Sequence, residues 1–242
     1  MMAPVLLYLE SSASIFLEIR GKQLSTIILA CETIRDEIDK ARALTHVDHP
    51  IIWVESGLHN HPEKLRAVLQ DHLDEGNGYK RVLMAFGSCG NSVIGLKTGN
   101  YELIIPRVDD CISMMIGSVE KRMDIGKAGG TYFLTPGWLR GERNIWAEYE
   151  YSCDKYGKET ARSIMEMMLE HYVYLGLVDT QSFDASQVYP EIERIAKELN
   201  LEPKIIPASV DYLCRLFVGP WDNEQFVVVP ANSVIEEFAL NL

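Results

Sequence analysis

Arg81-Val82-Leu83-Met84-Ala85-Phe86-Gly87-Ser88-Cys89-Gly90-Asn91 is a run of five apolar residues that leaves through a glycine-bracketed turn. A strand with one wet face alternates apolar and polar residues. A run apolar at every position is buried on both faces, which is the condition of a strand inside a parallel sheet covered by helices.

Working outward, the same unit recurs. Thr26 to Ala30 reads as a strand, followed by a helix from Glu32 to Leu44 with Ile34, Ile38 and Ala41 on one face. Pro50 to Val54 is a second strand, and Pro62 opens a helix through His72 whose face is Leu65, Val68, Leu69 and Leu73. Glu102 to Ile105 is a fourth strand, ended by Pro106, with Asp109 or Asp110 capping a helix that runs to Gly117. Pro136 to Val178 reads as two consecutive helices through Trp138, Trp146, Tyr149, Ile164, Met168 and Leu175. Beyond a polar linker, helix Tyr189 to Leu199, strand Lys204 to Ile206, helix Val210 to Val218 and strand Gln225 to Val229 return to the sheet.

The predicted fold is therefore α/β: a mostly parallel, Rossmann-like sheet with flanking helices and a helical insertion in the middle. Residues 1–24 form an N-terminal arm, read as a hairpin around Ser11 to Ser14. Residues 25–135 form the first β/α half, 136–180 the insertion, and 181–242 the second β/α part. Ile105-Pro106 with its following segment to Gly117 echoes Ile206-Pro207 with its segment to Gly219.

Composition narrows the function. The chain of 242 residues carries 23 Lys and Arg against 35 Asp and Glu, a formal charge of −12, so no basic face is expected for nucleic acid or an anionic membrane. Its apolar runs fall short of the ~20 residues that span a bilayer. The apolar start, Met1 to Leu9, lacks the cationic opening of an export signal, and five cysteines are an odd number for a disulfide framework. The expectation is a cytoplasmic protein with reduced thiols.

In a parallel sheet the ligand crevice lies beyond the carboxyl ends of the strands. Cys31, Cys89 and Cys111 each fall just after a strand, at positions where a following helix would lower a thiol pKa. Three converging thiolates need a cation, and a zinc ion or an iron–sulfur cluster supplies one, although spacings of 58 and 22 residues match no CxxC cassette. His59, after the second strand, is a further candidate ligand. Cys153 and Cys214 read as core filler. The Gly87 to Asn91 turn also has the outline of a nucleophile elbow, which would make Cys89 the nucleophile of a hydrolase with His59 and Glu55 or Asp109 as partners. No dinucleotide or triphosphate loop occurs.

Ala30-Cys31-Glu32 with Glu37-Ile38, Trp53 with Glu55 and Leu58-His59, Pro62 with Leu65 and Leu69-Gln70, Gly87 with Cys89-Gly90, Pro106-Arg107 with Asp110-Cys111 and Gly117-Ser118, and Thr131-Tyr132 with Thr135 and Gly137-Trp138 together resemble the domain-of-unknown-function family sixteen thirty-eight, over roughly Ser25 to Pro230. The resemblance implies an anaerobic setting, in methanogenic archaea and anaerobic bacteria, close to corrinoid-dependent methyl transfer. It supplies no catalytic residue, but Cys31, Cys89, Cys111 and His59 lie within its motifs. The expectation is a metal-binding protein of one-carbon metabolism with an iron–sulfur cluster, or alternatively zinc, on the three cysteines. Glu32, Glu55 and Asp110 with His59 would move protons or supply a fourth ligand, and Arg107 would orient an anionic small-molecule substrate. The alternative is an accessory protein or metallochaperone docking on a corrinoid protein or methyltransferase, and the aromatic, Met-rich middle is the place expected for a homodimer contact.

Overall fold

The computed structural model describes residues 26–76, 78–127, 129–141, 144–222 and 224–237. The N-terminal arm read over residues 1–24 lies outside them.

The architecture is α/β, with two sheets. The first carries β1 (Thr26–Cys31), β2 (Ile51–Val54), β3 (Arg81–Ala85), β4 (Glu102–Pro106) and, last in the chain, β8 (Phe226–Val229). Its order is β2-β1-β3-β4-β8; the first four are parallel and β8 runs antiparallel to β4. Side chains alternate between the two faces of a strand. Ile28, Ala30, Leu83, Ala85 and Ile104 pack on one face, against α1 (Arg35–Thr45), α3 (Cys111–Ile116) and α9 (Asp211–Val218). Ile27, Leu29, Val82, Met84 and Leu103 pack on the other, against α2 (Pro62–Glu75) through Leu65, Leu69 and Leu73. Both faces are dry, which is why these strands carry apolar residues at consecutive positions.

The second sheet, β5 (Gly130–Leu134), β6 (Tyr172–Asp179) and β7 (Glu202–Pro207), is parallel throughout, in the order β5-β6-β7. Between β5 and β6 the chain forms α5 (Pro136–Arg140), α6 (Ile145–Tyr156) and α7 (Lys158–Met168), and α8 (Ala185–Glu198) links β6 to β7. Leu175 and Leu177 of β6 pack with Ile145, Met165 and Ile192 in a separate core, while Val178 reaches the core of the first sheet. A short α4 (Val119–Gly126) precedes β5.

Two features differ from the sequence reading. The helical middle stops at Met168, and Tyr172-Val173-Tyr174-Leu175-Gly176-Leu177-Val178-Asp179 is an eight-residue strand. The apolar spacing from Ile164 to Leu175 fits a continuing helix, but aromatic and β-branched residues packed between two neighbouring strands favour extended backbone there. The later β/α part also divides: β7 pairs with β6 in the second sheet, and only β8 returns to the first. The strand–Pro–helix echo is present locally, as β4 into α3 and β7 into α9, with the two strands in different sheets.

Gly87 determines how β3 and β4 end. A Cβ there would overlap the backbone of Asp110, whereas one at Gly126 would meet nothing within 4 Å. Replacing Gly87 by Ala forces two backbone segments apart and is expected to cost about 3 kcal/mol. Gly126→Ala, at the end of α4, should be neutral or stabilising by about 0.5 kcal/mol. Urea unfolding midpoints of the two variants check both.

Candidate functional site

In the order β2-β1-β3-β4, the chain leaves β1 in one direction and β3 in the other, so a crevice opens between their carboxyl ends. A cavity of about 300 Å³ occupies that position. Cys31 is the last residue of β1, Glu55 follows β2, Gly87, Cys89 and Gly90 follow β3, and Asp109, Asp110 and Cys111 follow β4; all of them line it. His59, in the short turn before α2, and Trp138 of α5 complete the wall.

Backbone contacts fix these positions. Beyond the paired strands, the Ser88 and Cys89 N–H groups donate to the Val108 and Asp109 carbonyls at 2.9 and 2.7 Å. Cys89 itself adopts a left-handed backbone (φ 43°), rare for a residue with a side chain. The Arg66 guanidinium reaches from α2 to the Asn91 carbonyl at 2.9 Å and holds the far side of the turn. Asp110 is the residue that caps α3, accepting from the Ser113 N–H at 2.8 Å. Trp138 is brought in from the second sheet because Gly137 abuts the Thr33 carbonyl, where a Cβ would not fit.

The cavity favours neutral groups. Burial pushes the Cys31 thiol up, drives Cys89 up to about 12 and raises Cys111 well above the usual thiol range; a charge on Cys31 would add to the cost at Cys89, and charges on Cys89 and Cys31 to the cost at Cys111. The lowering expected from following helices is outweighed. Cys31 leads into a short 3-10 turn, no helix follows Cys89 directly, and Cys111 is buried at the head of only six helical residues. Cys31 instead donates its S–H to Thr33 Oγ1 at 3.2 Å. Burial also raises the Asp110 carboxyl, against the Ser113 N–H and Arg122, and lowers His59, against Asp110. Among the described residues, no group of three or more His, Cys, Asp and Glu is gathered so that it could hold a metal ion.

Of the predicted site residues, Cys31, Cys89, Cys111, His59, Glu55 and Asp110 share this cavity. Glu32 is ion-paired to Arg35 at 2.9 Å, and Arg107 is not among the lining residues; its N–H donates to the Gln225 carbonyl. Cys153 packs against the core of the second sheet and Cys214 against the core of the first, and neither lines the cavity. Sequence reasoning missed Arg122, which pairs with Asp109 at 2.6 Å and approaches Asp110 at 3.6 Å. It reaches both from α4 because the chain reverses at Gly117 (φ 104°), a relation no local motif announces.

The chain matches the family described as "Protein of unknown function (DUF1638)" over residues 53–217. It belongs to this family. The matched span holds His59, Cys89, Asp110 and Cys111 and begins after Cys31, later than the resemblance suggested. No curated protein and no solved structure matches.

Behind the cavity, Glu37 of α1 is only 1% exposed, and its charge would raise the Cys111 thiol further. Thr180 Oγ1 and Ser182 Oγ, just after β6, both donate to its Oε1 at 3.1 Å, while Oε2 has no partner. Burial raises its pKa above 4.5. The protonated form is therefore the one the fold stabilises: its contribution is full below pH 4.5 and declines as pH rises through the folded value. Glu37→Gln keeps an acceptor for both hydroxyls without a charge. Its stability advantage over the parent protein should grow from about pH 4.5 upward, as measured by urea unfolding at a series of pH values.

Proposed function

We propose that this DUF1638 protein binds an iron–sulfur cluster through Cys31, Cys89 and Cys111 at the carboxyl end of its parallel sheet. The observation that carries the reading is that three cysteines from three neighbouring strand ends line one cavity of about 300 Å³. Zinc is a weaker fit. At a Zn–S distance of about 2.3 Å, two thiolates on one ion stand no more than about 4.6 Å apart, and no such compact group is gathered among the described residues. A cluster spreads its cysteines over separate irons and suits thiols supplied by separate strand ends.

The raised thiol pKa values agree with a site that charges only on loading. Each thiol must lose its proton to ligate, and the positive metal core replaces the solvent that the cavity excludes. Three cysteines leave one coordination position for a small-molecule substrate oxygen or for His59, which burial keeps neutral and hence able to ligate. Asp110, raised by burial, and Glu55 line the same cavity and could exchange protons with a bound substrate. A Cys89 nucleophile is disfavoured on the same grounds: its thiol is pushed up to about 12, the reverse of an activated thiolate.

Anaerobic reconstitution with ferric iron, sulfide and a thiol reductant should give about four irons and four sulfides per chain with a broad visible absorption. Cys31→Ala, Cys89→Ala and Cys111→Ala should each lose it, and Cys153→Ala should retain it. Stoichiometric zinc that excludes iron, or a colourless, iron-free chain after reconstitution, overturns the cluster. Loading should also release protons, measurable in weak buffer, and its affinity should fall as pH drops.

A further inference from the structure

A second cavity, of about 240 Å³, lies on the other side of His59 and Trp138, which line both. Tyr132 of β5 and Tyr172 of β6 stand in its wall as an edge-to-face pair with centroids 5.6 Å apart, and the His59 and Trp138 rings lie 4.8 Å apart. Ile145 and Leu169, both buried, make it apolar at depth. Glu148, in the first turn of α6, is its only acidic lining residue, and no Lys or Arg lines it among the described residues. The Tyr132 hydroxyl is held neutral by burial, with the Glu148 charge adding to the effect.

Aromatic rings, one carboxylate and no opposing cation are the chemistry of an organic cation site. Ring faces attract positive charge through their quadrupole, and methyl or methylene groups gain from contact with the rings and with Ile145 and Leu169, contacts a hydrated metal ion would not use. An anion would meet Glu148 without a counter-charge. We infer that the cavity formed by Tyr132, Trp138, Tyr172 and Glu148 binds a small alkylammonium cation, with its methyl or methylene groups against the rings. The inference stands apart from the cluster proposal, because none of the three cysteines lines this cavity.

The test is a calorimetric titration of the metal-free full chain with choline and with 3,3-dimethylbutan-1-ol, its uncharged isostere. The expected result is saturable choline binding, with the isostere at least about tenfold weaker. Tyr172→Leu, on a ring already 39% exposed, and Glu148→Gln, on an exposed side chain, should each weaken choline at least about threefold while leaving the circular dichroism spectrum unchanged. Equal affinity for choline and isostere, no saturation by about 100 mM choline, or undiminished binding in both variants overturns it. Because the titration uses metal-free protein, it reads independently of whether reconstitution succeeds.

Discussion

The backbone of Gly87 lies directly against that of Asp110, with no space for a Cβ between them. This contact brings the end of β3 onto the loop after β4, and the hydrogen bonds from Ser88 and Cys89 to the Val108 and Asp109 carbonyls continue the pairing past the last residue of either strand. Cys89 and Cys111 are thereby positioned by main chain rather than by flexible side chains. Ala30 and Ala85, in register within the same sheet, set Cys31 beside the β3 turn. Everything the cavity can do depends on this rigid alignment of three strand ends, since side chains on ordered backbone hold a ligand geometry better than those on free loops.

Burial, rather than pairing, dominates the electrostatics there. Three thiols and Asp110 are all shifted towards their protonated forms, and His59 towards its neutral one. The counter-charge that is present, Arg122, is engaged chiefly with Asp109. A buried site of several potential anions and few cations is stable only while the protons stay on. The same groups become ligands if a cation takes the protons' place, so affinity for a positive species and resistance to ionisation have one origin.

The sequence made some of this legible and hid the rest for identifiable reasons. Strands β1 to β4 are readable because two helical layers cover them, which demands apolar residues at consecutive positions, and the strand-end rule then singles out Cys31, Cys89, Cys111, Glu55, His59 and Asp110. β6 was hidden: Ile164, Met168 and Leu175 fit helical spacing, and the decision in favour of a strand comes from β5 and β7 on either side of it, which no local window contains. The second sheet was missed with it. Arg122 and Glu37 depend on chain reversals and on contacts across 13 and more than 140 residues, respectively. The thiol pKa values were misread because helix ends were counted without the cost of burial.

The two sheets meet where chemistry is concentrated. Val178 of β6 packs into the core of the first sheet, Glu37 of α1 accepts hydrogen bonds from Thr180 and Ser182 after β6, and Gly137 lets α5 close on Thr33. Together these tie Trp138 to the end of β1, and Trp138 with His59 then forms the partition between the cysteine cavity and the aromatic one. A shift of the second sheet against the first would change the shape of both cavities through that single partition. Packed interfaces tend to move between discrete arrangements rather than deform continuously. The Gly137–Thr33 contact and the hydrogen bonds to Glu37 thus fix where the partition stands, and with it the shape of both cavities.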